Sequence, residues 1–263
     1  MVNIRVIPCL LLHDESLVKT IRFKKINYIG DAINTVRIFN QMEVDELIFL
    51  DISASKMKRP PDFEIIEQIA NECFMPFTYG GGIRNADDIQ RIHKIGVEKI
   101  ALNTFALEKP EFIKTASYLF GSQSIIVSVD IKKNLLGKHE IFYQGKQKIK
   151  KYEPLEFIKL AQDYGAGEIL LNSVDRDGTW NGYDIEFIRK ITREISIPLI
   201  ASGGAGKIDD FYKAVSIGGA SAVAAGSMFV YQGKDLGVLI NYPSRTELDK
   251  ILSYNNSKTY YNA

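Results

Sequence analysis

Cysteine, histidine and tryptophan are scarce in this chain of 263 residues, and neither sign of charge prevails. Its two cysteines, Cys9 and Cys73, allow at most one bridge and match neither a disulfide framework nor a zinc spacing. Both lie in apolar runs and read as buried thiols, which fits a reducing, cytoplasmic setting. The three histidines, His13, His93 and His139, are scattered, and no helical segment carries a two-His ligand pair, so nothing calls for a metal or redox cofactor. His93, in RIHKIG, reads as a surface residue. Thirty-three basic against thirty-two acidic residues give a formal net charge of +1. That balance leaves no global excess to hold nucleic acid or a membrane surface, so an anion site has to be local. No run of about 18 apolar residues occurs, and the first residues, MVNIRVIPCLLLHDES, lack the order of a signal peptide.

With 46% hydrophobic and 25% charged residues, the remainder is the composition of a globular protein large enough for its own core. Apolar, β-rich runs recur at 4–12, 46–52, 74–79, 99–104, 124–131, 168–174, 197–203 and 221–226. Segments with helical spacing lie between them, at 30–42, 62–73, 85–95, 109–119, 154–164, 184–194, 206–217 and 243–252. The runs are apolar along their length rather than alternating, as a parallel sheet covered by helices requires. Eight β/α units in about 250 residues is the count of a closed (β/α)8 barrel, an α/β fold, although a doubly wound open sheet shares the pattern. The barrel is expected over 1–252 and a polar tail over 253–263. Two connections are long, His13 to Gly30 and Lys132 to Lys151. Both belong to the C-terminal barrel face, where such loops carry function, and the second alternates around Gly137 and Gly145 like a hairpin.

The chain repeats at half length. FTYGGGIRNADDIQRIHKIGVEKIALNT (77–104) parallels LIASGGAGKIDDFYKAVSIGGASAVAAGS (199–227), and DELIFLDISAS (45–55) parallels GEILLNSVDRDG (167–178). The pattern predicts two half-barrels, about 1–120 and 121–252. Each half then has a glycine-rich turn, Gly80–Gly82 or Gly203–Gly204, and a small polar strand end, Asn103–Thr104 or Gly226–Ser227. Glycine admits an oxyanion to the backbone N–H groups, so the two sites fit a ligand with a phosphate at each end.

Asp130 closes IIVSVD and is the candidate acid/base at the mouth. Asp51, Asp175 and Asp177 lie near other strand ends, where a bracing role competes with catalysis. In the repeat, Leu11 falls opposite Asp130, so one half has an acid and the other does not. Asp14 lies three residues on, with His13 on the other side of the chain if the segment stays extended. Trp180, in DGTWNGYD, suits either ligand stacking or loop packing.

Over about 1–252 the chain resembles the cyclase (synthase) subunit family of imidazole glycerol phosphate synthase. The residues that carry the resemblance are DELIFLDISAS, PFTYGGGI, ALNT, FGSQSIIVSVD, GAGEILLNSVDRDGTWNGYD and IASGGAGK. The resemblance implies a (β/α)8 barrel that takes ammonia from a glutaminase docked on its N-terminal face and delivers it to a bisphosphate substrate. It implies that Gly82, Asn103 and Thr104 hold one phosphate and Gly178, Gly204, Gly226 and Ser227 the other. Asp177 falls within that second substrate site, and Lys19 matches a lysine of a mobile covering loop. Arg5, Glu46, Lys99 and Glu168 match a ring of charges that gates ammonia entry. The family's two catalytic aspartates match positions 11 and 130, and position 11 is Leu. Together with the altered text LLHDESLVKT, this is similar to paralogues that work with a glutaminase and a separate sugar amidotransferase in surface-polysaccharide synthesis. A true histidine-pathway cyclase, with Asp14 or a water replacing the lost acid, is the alternative.

Overall fold

The computed structural model describes residues 4–143 and 151–252, so the 253–263 tail and Gly145 lie outside the described residues. Eleven strands follow in chain order: β1 Arg5–His13, β2 Ser16–Ile21, β3 Lys25–Asp31, β4 Leu47–Asp51, β5 Phe77–Gly80, β6 Lys99–Leu102, β7 Ile125–Lys133, β8 His139–Ile141, β9 Glu168–Ser173, β10 Leu199–Ser202 and β11 Ala222–Ala225. Eight of them, β1, β4, β5, β6, β7, β9, β10 and β11, pair in parallel in that order. β11 returns to β1 through Arg5↔Ala222 and Ile7↔Ala224, which closes the barrel. The fold is therefore the (β/α)8 barrel and not the open sheet.

Side-chain alternation along each strand divides the core in two. Val6, Leu10 and Leu12 of β1 pack outward under the helices, whereas Ile7 and Cys9 join the apolar cluster inside the barrel. That inner cluster includes Ile48, Ile126, Leu170 and Ile200. The helices start where the sequence offers a side-chain cap. Asp31, Asn85 and Asp184 accept from the backbone N–H groups of Asn34, Asp88 and Phe187, respectively.

Three features depart from the sequence pattern. The long connection after β1 is an antiparallel hairpin, β2 against β3, continuing from β1 through Leu11↔Val18 and Leu12↔Leu17. The segment expected as one helix over 206–217 is a short helix, Ile208–Tyr212, followed by a wider π turn over Lys213–Ile217, with glycines at 218 and 219 behind it. Short helices at Ala54–Met57, Thr104–Glu108 and Ser227–Val230 sit directly after strand ends and are too brief to show a helical period. The hairpin expected within Lys132–Lys151 is present as β7 against β8 through Lys132↔Glu140 and Lys133↔His139, turning at Asn134–Lys138.

Candidate active site

The C-terminal end of the barrel opens into a cavity of about 510 Å³. Its wall includes Leu11, Lys19, Gly82, Asn103, Asp130 and Asp177, and also Thr104, Gly178, Gly204, Gly226 and Ser227. The residues matched to the two phosphate sites, with Lys19, Asp177 and Asp130, thus lie on one surface, whereas Asp14, Asp175 and Trp180 do not line it.

Asp130 stands where β7 passes between β6 and β9. The Asn103 amide donates to Oδ2 at 2.8 Å, and the Asn172 amide donates to Oδ1 at 3.3 Å. Burial pushes the carboxyl up to about 6; the two amides pull it down, and the Asp177 charge adds to the rise. A carboxyl poised near neutrality and facing a cavity is suited to proton transfer. Asn172 escaped the sequence reading. It is the repeat equivalent of Leu50, and only the strand register reveals it: Asp130 pairs with Asn172 across β7 and β9 as Leu11 pairs with Leu50 across β1 and β4. Asymmetry between the halves is therefore a two-residue feature. One side of the mouth has a carboxylate with its amide, and the other has two leucines.

Near Leu11 the nearest alternatives are His13 and Asp14. Asp14 takes a left-handed conformation, φ 53°, so the segment does not stay extended, and the two side chains meet with Nδ1 and Oδ2 3.2 Å apart. His13 lines the cavity.

Lys19 extends from β2 toward the mouth, buried, with Nζ 2.6 Å from Asp177 Oδ1. The other oxygen of Asp177 accepts from Thr20 Oγ1 at 2.8 Å, and its backbone carbonyl accepts from the Arg22 N–H at 2.9 Å. Three contacts thus clip the β2–β3 hairpin to the loop after β9. Gly226 lies under the Lys19 chain: a Cβ there would sit 2.8 Å from Lys19 Cε and 3.0 Å from the Cys9 carbonyl, so a side chain at this position would push on the Lys19 path.

The two glycine turns follow β5 and β10. Gly82, φ 74°, and Gly204, φ 113°, adopt left-handed backbone that a side chain would strain. A Cβ on Gly82 would also meet the Arg59 carbonyl at 2.7 Å. Beside these turns, the starts of the short helices at Thr104 and Ser227 add backbone N–H groups that have no intrahelical partner.

The other carboxylates are braces. Asp51 Oδ1 accepts from the Ser53 and Ala54 N–H groups, each at 2.9 Å, while Oδ2 lies 2.9 Å from Arg59. Asp175 accepts from the Lys133 N–H at 2.7 Å. Trp180 lies outside the cavity wall and packs on the outer core, with its carbonyl 2.6 Å from where a Cβ on Gly206 would stand.

At the opposite barrel end the four charges form a closed circuit. Arg5 reaches Glu46 at 2.6 Å and Glu168 at 2.8 Å, and Lys99 reaches Glu168 at 2.7 Å and Glu46 at 3.4 Å. Thr78 Oγ1 adds a hydrogen bond to Glu46 at 3.2 Å. Although burial opposes it, the Arg5 and Lys99 cations hold Glu168 below the ordinary carboxylate range. Between this floor and the polar mouth lies the inner apolar layer of Ile7, Ile48, Ile126 and Leu170.

Among the described residues, no group of three His, Cys, Asp or Glu is placed to hold a metal ion, and no helix is long and apolar enough to cross a membrane.

A family model described as "Histidine biosynthesis protein" matches residues 5–235. A protein of Pseudomonas aeruginosa, provisionally named an imidazole glycerol phosphate synthase subunit, is 47% identical over 249 residues, 95% of this chain and 99% of its own. A Vibrio vulnificus protein with the same provisional name is 46% identical over 253 residues, 96% of this chain and 97% of its own. One from Natranaerobius thermophilus, named an imidazole glycerol phosphate synthase subunit without qualification, is 40% identical over 240 residues, 91% and 95% of the two chains.

Proposed function

We propose, from the premise that the chain belongs to the histidine biosynthesis protein family and within it to the cyclase subunits of imidazole glycerol phosphate synthase, that it is the ammonia-accepting barrel of a glutamine amidotransferase complex, and that its ammonia serves to amidate a surface-polysaccharide sugar. The observation that carries the reading is the contrast between the barrel's two ends. At the mouth, Leu11 beside Leu50 replaces what a second proton-transfer group would require. At the floor, the circuit of Arg5, Glu46, Lys99 and Glu168 is complete.

A glutaminase docked on the N-terminal face would release ammonia at this circuit. Opening one ion pair of the ring admits a small molecule, and the apolar layer above favours neutral ammonia over ammonium, whose charge is costly to bury. At the mouth, Gly82, Asn103 and Thr104 would hold one phosphate, and Gly178, Gly204, Gly226 and Ser227 a second. Lys19, positioned by Asp177, supplies the cation beside that second site. Asp130, held by Asn103 and Asn172, would exchange a proton with a ligand there, whereas Asp51 and Asp177 on the same wall are engaged by Arg59 and Lys19. Ring closure of the histidine-pathway bisphosphate needs both an acid and a base. A missing positioned proton-transfer group typically costs roughly 10²–10⁴-fold in rate, whereas ammonia transit and phosphate binding make no such demand.

A second reading, a working histidine-pathway cyclase, is favoured by His13, which lines the cavity near Leu11 and is oriented by Asp14. Expression with the cognate glutaminase in a histidine auxotroph lacking the cyclase separates the two. The proposal expects no growth without histidine, and full rescue would transfer the assignment to the second reading.

A further inference from the structure

The balanced net charge hides a segregation. Over 132–143, Lys132, Lys133 and Lys138 stand against one acidic residue, Glu140, in a chain whose 33 basic and 32 acidic residues nearly cancel. Pairing of β7 with β9 ends at Ile131↔Ser173, whereas Lys132 and Lys133 pair only with β8. The turn of this hairpin therefore stands beyond the barrel rim. At its tip Leu135 and Leu136 are 105% and 93% exposed. They are not on a loose loop: Asn134 Oδ1 accepts from the N–H groups of Leu136 at 2.9 Å and Lys138 at 3.0 Å, and the Asn134 amide donates to Glu140 at 2.8 Å. An ordered turn thus holds two adjacent leucines in water, although burying each would be favourable.

The neighbouring rim repeats the composition. Phe23 of the β2–β3 turn meets Phe142, beyond β8, with ring centroids 5.8 Å apart, so the two hairpins touch. Around that turn Arg22, Lys24 and Lys25 are exposed beside exposed Ile26 and Tyr28. Across the mouth, Lys56 and Lys58 flank exposed Met57. Exposed acids also lie near these loops, Asp14, Glu15 and Glu140, and Lys133 and Lys138 have partners in Asp184 and Glu153. The excess is nevertheless basic, and lysine exceeds arginine in it. Protein interfaces are depleted in lysine. An anionic lipid surface attracts it, lets its stem lie along the acyl boundary, and seats Tyr at the headgroup level.

We propose that the mouth rim docks the protein reversibly on an anionic phospholipid bilayer, with Leu135 and Leu136 dipping into the headgroup boundary and the surrounding lysines facing lipid phosphates. The barrel floor, where the glutaminase is proposed to bind, then points away from the membrane. The inference does not depend on the reaction proposed above.

The test is sedimentation of the full chain with vesicles of equimolar phosphatidylglycerol and phosphatidylcholine, beside vesicles of phosphatidylcholine alone. Binding to the anionic vesicles is expected to be at least about tenfold stronger and to fall with added salt. Leu135→Ser with Leu136→Ser should weaken it about tenfold while leaving the melting temperature unchanged, because both side chains are exposed. Lys24→Glu with Lys25→Glu should remove the anionic preference. Equal binding to both vesicles, or undiminished binding by the serine variant, would overturn the proposal. A chain that stays in solution with both vesicles would overturn it too, and would leave an acidic protein as the rim's partner. Vesicle binding is read without any nitrogen transfer, so its failure is distinct from failure of the reaction assignment.

Discussion

Leu11 and Leu50 are neighbours across the β1–β4 pairing, in the register that Asp130 and Asn172 hold across β7–β9. A barrel built from two similar halves therefore presents a hydrogen-bonded carboxyl on one side of its mouth and a hydrocarbon surface on the other. A single polar substitution at Leu11 would stand beside Leu50 without an amide from that strand to orient it.

The buried Lys19–Asp177 pair makes the hairpin's closure sensitive to either partner. Lys19→Met leaves the Asp177 carboxylate with only its Thr20 hydrogen bond and should destabilise the fold by about 3 kcal/mol, a fall in melting temperature of roughly 5–10 °C. The double change Lys19→Met with Asp177→Leu removes both charges and should recover most of that loss. Calorimetry of the three variants checks this, and additive losses in the double variant would mean that the pair is not coupled.

Asp130 gives a pH signature of the opposite sign to a salt-bridged acid. Its folded value, about 6, lies above the ordinary 3.8, so the ionised form is disfavoured by folding. The native protein should lose stability from this group as pH rises from about 4 to about 6 and keep that loss above. Asp130→Asn does not titrate, so its stability relative to the native chain should rise across the same window. Denaturant midpoints measured from about pH 4 to about pH 8 would show it, and a pH-independent difference would argue against a raised carboxyl.

The floor circuit behaves in the usual direction. Glu168 is held below its ordinary value, so the stability it contributes is present at neutral pH and is lost as the solution becomes acidic. Arg5→Met removes one cation and leaves Glu46 and Glu168 with Lys99 alone. The variant should be less stable than the native chain at neutral pH, with the gap narrowing in acid as Glu168 protonates. In the complex it should also uncouple glutamine hydrolysis from ammonia use, read as glutamate formed in excess of amidated product.

Much of this arrangement was legible in the sequence because it is written in local patterns. Continuous apolar runs such as IIVSVDI placed the barrel strands within a few residues, and glycines 80–82 and 203–204 marked both mouth turns. Leu11 stood out because the half-length repeat supplied its counterpart, Asp130. What the sequence withheld depends on contacts distant along the chain. Lys19 and Asp177 are 158 residues apart, and nothing local to either announces their pairing. Asn172 carries no local mark, and only the β7–β9 register sets its amide beside Asp130. Hairpin β2–β3 was hidden because its exposed strand, KINYIGD, is short and mixed, and the interrupted helix after β10 because 206–217 keeps a helical period through its π turn. The hairpin around Gly137 was legible, but the exposure of Leu135 and Leu136 at its turn was not, since a leucine pair gives no local sign of facing water.

The most direct test of the central claim is ammonia-dependent turnover of the histidine-pathway bisphosphate by the isolated barrel, natural chain beside Leu11→Asp, at high ammonium. The natural chain should show no appreciable turnover and the substitution a gain, more complete when Leu50→Asn is added to orient the new carboxyl. Turnover by the natural chain at a rate matching a working cyclase would contradict that claim and leave His13 as the group that took over the missing proton transfer.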